Sequence, residues 1–332
     1  MSAGPGDATI AEAALRLREG GLVAFPTETV YGLGANALDE RAVARVFALK
    51  KRPATNPLIV HVPGAEQARG LTAGWSAGAE ALAGAFWPGP LTIVLPRAAD
   101  VPSIVAAGGD TVALRAPDHP VAQALLAAAG LPLVGPSANP SGLVSPTAAG
   151  HVRGAFAEAV ASGELLVLDG GPCRAGIEST VVTLAERRPR ILRRGVVSAE
   201  QISAVLRAPV VDRDAGAAEE SGGPLAGPGM LAAHYAPRTP LSLFEAERWP
   251  EVLDELPAPL IVLTHERARS VEPPSAIFRL PRDASAYAAA LYAALHEADA
   301  GGFAHIAAEE PSSPGPVWDA VRDRLRRAAA RR

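Results

Sequence analysis

Residues 22–62 constrain the fold of this chain more than any other stretch, because they predict a complete strand–loop–helix–strand unit. The apolar run Leu22 to Phe25 indicates a buried strand. A turn rich in hydroxyl groups follows at residues 26–31, and Gly32 and Gly34 come directly after it. A purely structural turn does not need so many hydroxyl groups, so this loop is a candidate binding loop.

The second half of the unit is a helix followed by a strand. Asp39 is a suitable N-cap, and the helix that it predicts ends in the basic triplet 50–52, just before Pro53. The next strand, Leu58 to Val62, carries His61.

The basic triplet contains Lys50 and Lys51, the only lysines among the 31 lysine and arginine residues of the chain. Compact ammonium groups beside the planar guanidinium of Arg52 are typical of a phosphate-binding site. The alternative is that these cations only stabilise the C-terminal end of the helix dipole. In both cases we expect cations at a helix end to be partly exposed and to contribute little stability.

Length and composition predict two packed domains and no membrane span. The chain has 332 residues, of which 48% are hydrophobic, and this is enough for two cores. The net charge of −4 gives no general basic surface for nucleic acid. A single cysteine, Cys173, excludes a disulfide framework and fits a reducing cytoplasm. No apolar run approaches the length of a membrane span.

Strands and helices alternate along the chain, which predicts an α/β fold. We expect a catalytic domain over 1–206, a linker over 207–240 and a smaller α/β domain over 241–332. The linker is rich in glycine and proline and contains the sequence His234-Tyr235-Ala236-Pro237. Its length is typical of a lid or a tether, and we expect a lid that carries Tyr235 over a bound nucleotide. The alternative is that Tyr235 packs on the domain surface and fixes the angle between the domains. The last domain shows no catalytic motif of its own.

A second polar loop, Gly135 to Pro146, directly follows the strand predicted at 131–134. In open α/β sheets, ligands bind at the carboxyl ends of the strands. The sequence GPSANPSGLVSP is too polar to form part of a core, so it is a second candidate binding loop.

The common motifs of nucleotide, metal and hydrolase sites are not present in the sequence. Gly32 and Gly34 come too late after the strand for a dinucleotide-binding turn, and no acidic residue lies about 20 positions further on. The chain has no GxxxxGK[ST] loop, no HExxH helix, no Cys/His metal spacing and no GxSxG elbow. No metal ligand is therefore expected from the protein's side chains.

The remaining candidates are cations, hydroxyl groups and amides at the ends of strands and helices. Each alone could be a helix cap or a turn residue. Together they suit a polyphosphate and a small substrate that carries a carboxylate. They are Thr29, Lys50, Arg52, His61, Arg115, Ser137, Asn139, Ser145, Ser179 and Arg193.

Several motifs in a fixed order resemble those of the YrdC/Sua5 family, the threonylcarbamoyl-AMP synthases. They are PTETVYGLG, KKR with NPLIVH, PSANPSG, and IESTVV followed by ILRRG. The later sequence GPGMLAAHYAPRTPL is similar to the two-domain Sua5 branch. The resemblance implies a twisted, open mixed sheet with helices, joined by a long linker to a smaller Rossmann-like α/β domain.

The resemblance also implies a nucleotidyltransferase. Its substrates would be L-threonine, bicarbonate and ATP, and its products threonylcarbamoyl-AMP and pyrophosphate. The adenylate would supply the modification of tRNA to N6-threonylcarbamoyladenosine through a downstream tRNA threonylcarbamoyl transferase complex. Mg²⁺ would be held through the ATP phosphates, no organic cofactor or stable tRNA binding would be required, and the protein would be cytoplasmic.

The family's functional residues fall on three sets of positions in this sequence. The catalytic signature falls on Lys50, Arg52, Ser137 and Asn139. The ATP contacts fall on Arg52, Asn56, Thr111, Ser137, Ser145, Arg193 and Tyr235. The threonine contacts fall on Thr29, His61, Arg115 and Ser179. Because ILRRG replaces the usual ILRPG, the choice between Arg193 and Arg194 stays open, and alignment favours Arg193.

Two other functions also stay open. The chain could be an RNA-binding module of the same fold, with the basic triplet on the phosphates. The net charge of −4 and the absence of an aromatic RNA-binding motif argue against this. The C-terminal half could instead be a docking domain, which would make the protein a scaffold.

Overall fold

Two α/β domains, each built around one β-sheet, make up the described part of the chain. The structure is a computed structural model that describes residues 9–212, 227, 234–265, 271 and 275–330. Most of the predicted linker, residues 213–226 and 228–233, lies outside the described residues. The domain limits therefore stay predictions.

The first domain alternates strands and helices, as the sequence predicts. Its strands are β1 (Leu22–Phe25), β2 (Gly32–Asn36), β3 (Ile59–His61), β4 (Leu91–Pro96), β5 (Thr111–Arg115), β6 (Leu133–Val134), β7 (Leu165–Val167), β8 (Thr180–Thr183) and β9 (Arg190–Arg193). Its helices are α1 (Ile10–Arg18), α2 (Glu40–Lys50), α3 (Ala65–Arg69), α4 (Ala77–Phe86), α5 (Pro120–Ala129), α6 (Ala149–Ala155), α7 (Ala157–Ala161) and α8 (Ala199–Leu206).

These strands form one large sheet, in the order β7-β1-β2-β6-β3-β5-β4-β8-β9. Some neighbours are parallel, such as β3 and β5, and others are antiparallel, such as β1 and β2. The prediction of a mixed sheet is confirmed.

Strand β2 differs from the prediction, which places only a loop with two glycines here. A Cβ atom at Gly34 would lie 2.9 Å from the Phe25 ring and 3.0 Å from the carbonyl oxygen of Val23. Glycine therefore allows β2 to pair closely with β1 beside a large ring. The sequence pattern does not reveal the strand, because glycine has no side chain to mark a buried face.

Helix α2 begins and ends as the sequence predicts. The carboxylate of Asp39 accepts hydrogen bonds from two backbone N–H groups of the first turn. Lys51 adopts a left-handed conformation, with φ 50°, and ends the helix. Lys50 thus lies on the last helical turn, and Arg52 lies just beyond it.

Parallel pairing of β3 and β5 brings two predicted site residues together. His61 lies opposite Arg115, at the carboxyl ends of both strands. The loop after β6 reaches the same strands, since the N–H of Gly135 donates to the carbonyl oxygen of Ile59. This part of the sheet is where a ligand is expected in an open α/β fold.

The second domain has a smaller sheet in which every pair is parallel. Its strands are β10 (Leu241–Phe244), β11 (Leu260–Thr264), β12 (Ala276–Arg279) and β13 (His305–Glu309), in the order β10-β13-β11-β12. Its helices are α9 (Trp249–Glu255), α10 (Ala284–Ala300) and α11 (Pro316–Ala329). The prediction of a smaller α/β domain is confirmed. Among the helices that the structure describes, none is both long and apolar enough to cross a membrane.

The two domains share a hydrophobic cluster. Val30, Val144 and Ile177 of the first domain pack in it with side chains of α10 and α11. The two backbones are close at Gly176, where a Cβ atom would lie 2.4 Å from the carbonyl oxygen of Ala288 in α10. The first domain is therefore docked directly on the long helix of the second.

Gly176→Ala is expected to lower the free energy of unfolding by about 2 to 4 kcal/mol, because the new methyl group would overlap α10. The φ of Gly176, 69°, is also unfavourable for alanine. Gly84→Ala, in α4 with open space around it, should instead raise stability slightly. Chemical unfolding followed by circular dichroism compares the two variants. Equal stabilities would contradict the close docking at Gly176.

Candidate active site

A cavity in the large sheet brings together many of the predicted site residues. It encloses about 550 Å³, counting the part that opens to solvent. The predicted residues that line it are Thr29, Arg52, His61, Arg115, Ser137, Arg193 and Tyr235. Thr27, Gly32, Gly135, Glu178 and His234 also belong to its wall.

Arg115 is held in the wall by a carboxylate and a hydroxyl group. Its Nη2 atom lies 2.7 Å from Oε2 of Glu28, and both side chains are almost fully buried. Its Nη1 donates to Oγ1 of Thr29 at 2.9 Å, and its Nε donates to the carbonyl oxygen of Gly89 at 3.2 Å. Because a guanidinium has five N–H groups, donors remain for a ligand carboxylate.

His61 stands beside Arg115 as a neutral imidazole. Neither ring nitrogen has a hydrogen-bond partner among the residues that the structure describes, although the side chain is buried. Burial, and the charge of Arg115, lower the pKa of His61 to about 3. At neutral pH one ring nitrogen can therefore accept a hydrogen bond and the other can donate one.

Two more guanidinium groups reach the cavity, those of Arg52 and Arg193. Arg52 donates from Nε and Nη2 to the carbonyl oxygens of Asn56 and Pro57, at 3.0 and 2.7 Å. Arg193 donates from Nε to the carbonyl oxygen of Ser179 at 3.0 Å and from Nη2 to its hydroxyl at 3.1 Å. These partners are neutral, so they fix both side chains without cancelling their positive charge.

The neighbouring Arg194 points elsewhere. Its side chain is about a third exposed, and its Nη2 lies 3.0 Å from Oδ2 of Asp212. Arg193 is buried and lines the cavity. Consecutive residues of an extended strand face opposite sides, so only one of the two arginines can point inward.

Glu178 is a carboxylate of the cavity wall that is bound from both domains. Its Oε1 accepts from the hydroxyl of Ser145 at 2.7 Å, and its Oε2 accepts from Tyr292 at 3.0 Å and from Nε of Arg324 at 2.9 Å. Burial alone raises the pKa of Glu178, but the charges of Arg324 and Arg193 outweigh this and bring the pKa to about 2. The carboxylate is therefore ionised at neutral pH.

Tyr235 of the predicted linker forms another part of the wall. Its ring stacks on Tyr292, with centroids 5.7 Å apart, and the guanidinium of Arg324 lies 5.3 Å from the ring centroid. Its hydroxyl has no hydrogen-bond partner among the described residues. The next residue, Ala236, donates its N–H to a backbone carbonyl of the first domain. Movement of this segment as a lid stays a prediction.

Lys50 supports the cavity from behind and does not line it. The side chain is 1% exposed, and its ammonium group donates to the carbonyl oxygens of Ser137 and Asn139. The expectation of a partly exposed cation is wrong for Lys50, because the Gly135–Pro146 loop covers the end of the helix. Burial, and the charge of Arg52, lower the pKa of Lys50 well below its ordinary value.

Five other predicted residues do not line the cavity. They are Asn56, Thr111, Asn139, Ser145 and Ser179. The Asn139 amide donates to the carbonyl oxygen of Leu143 at 2.7 Å and shapes the loop. Thr111 begins β5, at the opposite end from Arg115.

Asn56 combines complete burial with an unsatisfied amide. Its side chain is 0% exposed, and neither amide atom has a partner among the described residues. Buried polar groups are nearly always hydrogen-bonded, so an amide in this state is suited to pair with a ligand or with water.

Sequence reasoning misses four residues of this arrangement. Glu28 and Glu178 lie inside the motifs PTETVYGLG and IESTVV, but the sequence does not show that each will meet an arginine. Tyr292 and Arg324 belong to the C-terminal domain, in which no catalytic motif is found. An arginine in an amphipathic helix looks like a surface residue until the docking partner is known.

Two family models match the chain. Residues 16–195 match the Sua5/YciO/YrdC model, which is described as "Telomere recombination". Residues 197–330 match a model described as "Threonylcarbamoyl-AMP synthase, C-terminal domain".

Proteins named threonylcarbamoyl-AMP synthase resemble the chain over much of its length. The one from Bacillus subtilis is 42% identical over 98% of this chain and 94% of its own length. The one from Pyrococcus abyssi is 45% identical over 70% of this chain and 66% of its own length. A crystal structure of P. abyssi Sua5 complexed with L-threonine matches with a TM-score of 0.87 and 38% identity, over 96% of this chain and 94% of that one.

Lys50→Met is expected to lower the free energy of unfolding by about 2 to 4 kcal/mol, because two buried carbonyl groups lose their shared hydrogen-bond donor. Lys51→Met is the matched control, since Lys51 is the exposed residue that follows it. The control should change stability by less than about 0.5 kcal/mol. Urea unfolding measures both variants. A loss at Lys50 no larger than that at Lys51 would contradict the buried position of the ammonium group.

Proposed function

Because the chain belongs to the Sua5/YciO/YrdC family, we propose that it is a threonylcarbamoyl-AMP synthase. This nucleotidyltransferase joins L-threonine, bicarbonate and ATP into threonylcarbamoyl-AMP and releases pyrophosphate. The observation that carries the proposal is that three guanidinium groups, those of Arg52, Arg115 and Arg193, line one cavity. A carboxylate and a triphosphate are ligands that such a set of groups binds well.

Threonine would bind around Arg115. The remaining N–H groups of this guanidinium suit the amino-acid carboxylate, and Glu28 keeps the side chain in place. The neutral ring of His61 and the hydroxyl of Thr29 would then meet the amine and the side-chain hydroxyl. Ser179 contributes from behind the cavity, through its hydrogen bonds with Arg193.

ATP would bind at the side of the cavity formed by Arg52 and Arg193. Their guanidinium groups suit the phosphates, and Ser137 stands on the same wall. The unsatisfied hydroxyl of Tyr235, which lines the cavity, is a further polar contact for a nucleotide. Lys50 would act through the backbone of Ser137 and Asn139, which it holds in position.

The proposed chemistry needs positioning and charge more than an acid or a base. The threonine amine attacks the carbon of bicarbonate, water leaves, and a carbamate forms. A carbamate oxygen then attacks the α-phosphorus of ATP, and the bond to the pyrophosphate oxygen breaks. In-line displacement of this kind depends on alignment and on stabilisation of the developing negative charge. Arg52 and Arg193 supply that charge.

The buried wall would also protect the product. An acyl adenylate hydrolyses when water reaches its mixed anhydride, and a cavity that excludes water prevents this side reaction. Tyr235, which is 1% exposed, contributes an apolar ring to this wall.

Mg²⁺ would enter with the ATP phosphates. Glu178 lines the cavity, but Ser145, Tyr292 and Arg324 already bind its oxygens. Within the part of the chain that the structure describes, no group of three or more metal-ligating side chains occurs. When bound to the triphosphate, Mg²⁺ would neutralise charge on the leaving pyrophosphate.

Because the adenylate hydrolyses readily in water, it has to reach its acceptor quickly. We propose that a tRNA threonylcarbamoyl transferase complex consumes the adenylate in the cytoplasm, without stable tRNA binding by this chain. The alternative of an RNA-binding module is not favoured, because Lys50 is buried beneath a loop and cannot contact an RNA backbone. A C-terminal docking domain that makes the protein a scaffold is also not favoured, because Arg324 and Tyr292 of that domain bind a residue of the cavity wall.

The direct test is pyrophosphate release from ATP by the full chain with Mg²⁺. We expect release to require threonine and bicarbonate together, and omission of either to reduce it to background. Release that is independent of threonine would show an ATPase, and no release with all three substrates would contradict the proposal.

Arg193→Met and Arg194→Met are a matched pair for this assay. Loss of the cavity cation should reduce the rate by at least about 100-fold, since it removes a charge that stabilises the transition state. Arg194→Met should stay within about threefold, because that side chain binds Asp212 outside the cavity. Equal losses in the two variants would contradict the placement of the nucleotide beside Arg193.

A further inference from the structure

The C-terminal domain contributes a fully buried cation to the back of the cavity wall. Arg324, on α11, has a side-chain exposure of 0%. Its Nε donates to Glu178 at 2.9 Å, its Nη1 to Asp323 at 2.6 Å and its Nη2 to the carbonyl oxygen of Arg194 at 2.9 Å. Its guanidinium also lies over the ring of Tyr235. Arg324 therefore contacts two cavity-wall residues while remaining outside the cavity itself.

Glu178 depends on this partner. A buried carboxylate is stable only with a cation or several hydrogen-bond donors, and removing one member of a buried ion pair is costly. The other direct partners of Glu178, the hydroxyl groups of Ser145 and Tyr292, are neutral. Arg193 is a second cation near Glu178, because it binds Ser179, the next residue, and lines the same cavity as Glu178.

Without Arg324, the buried carboxylate of Glu178 could compensate for the lost cation in two ways. It could turn toward Arg193, or it could take up a proton. The first outcome would neutralise a guanidinium whose hydrogen bonds, among the described residues, go to the carbonyl and hydroxyl oxygens of Ser179. On the nucleotide side of the cavity, only the positive charge of Arg52 would then remain available to phosphate.

We propose that Arg324 is a positioning residue of the nucleotide side of the cavity, which acts by pairing with Glu178 and thereby keeps the charge of Arg193 available to phosphate. The inference rests on the proposed function and extends it, because the site then includes a residue from each domain. Arg324 does not touch the substrates. Its effect on ATP should therefore disappear when Glu178 carries no charge.

The test measures ATP binding to the full chain by calorimetry, in the absence of threonine. Arg324→Met should weaken ATP binding by at least about tenfold, and Glu178→Gln combined with Arg324→Met should bind within about threefold of Glu178→Gln alone. Threonine binding, measured separately, should change by less than about twofold, because Arg115 is held by Glu28. A structural role of Arg324 would weaken both ligands and would do so in both backgrounds.

Arg326→Met is the control for removing a positive charge from the same helix. Arg326 has a side-chain exposure of 57% and pairs with Glu310 away from the cavity. ATP binding should stay within about twofold of the parent. An effect as large as that of Arg324→Met would mean that the helix acts by general charge, and the proposal would be wrong.

Two outcomes separate this inference from the proposed function. If the parent releases no pyrophosphate with all three substrates, the function fails, but ATP calorimetry still tests Arg324. If the parent is active and Arg324→Met weakens ATP equally in the Glu178 and E178Q backgrounds, only the inference fails. Should Arg324→Met not fold, Arg324→Lys keeps the charge without the planar fork and is compared in the same two backgrounds.

Discussion

A positive charge can be buried in a protein only when other groups replace the water that it loses, and the cavity depends on how each cation meets this condition. Arg115 and Arg324 meet it with carboxylates, Glu28 and Glu178. Arg52, Arg193 and Lys50 meet it with the oxygens of neutral carbonyl or hydroxyl groups. Pairing with a carboxylate fixes the side chain but leaves the pair with little net charge. Pairing with neutral oxygens fixes the side chain and keeps its positive charge. Because the charges of Arg52 and Arg193 are not cancelled by their direct partners, an anionic ligand completes this side of the cavity.

The rest of the fold serves to hold these partners at fixed distances. Parallel pairing of β3 and β5 sets His61 beside Arg115, and the close pairing of β1 with the glycine strand β2 brings the Thr27–Thr29 loop to the same place. The second domain then closes the back of the wall through α10 and α11. The small residues of the second domain and Gly176 of the first domain permit close docking. Tyr292 and Arg324 of the second domain can therefore reach Glu178. A two-domain chain can in this way build one site from residues that neither domain could place alone.

Much of this architecture could be predicted from the sequence, and the failures share a physical cause. Apolar runs and a helix cap predict β1, α2, β3 and β6, because those signals are local. Strand β2 escapes detection, since glycine marks neither face of a sheet. The burial of Lys50 depends on a loop that lies 87 positions away, and the pairing of Glu178 with Arg324 spans 146 positions. Residue types in motifs identify which groups do chemistry, but only tertiary docking decides which of them face a ligand and which support it.

A crystal structure with L-threonine and a non-hydrolysable ATP analogue tests this arrangement of charges most directly. We expect triphosphate oxygens within hydrogen-bond distance of the Arg52 and Arg193 guanidinium groups. The threonine carboxylate should contact Arg115, and Arg324 should stay bound to Glu178 behind the wall. A nucleotide bound elsewhere, or one whose phosphates contact neither Arg52 nor Arg193, would contradict it.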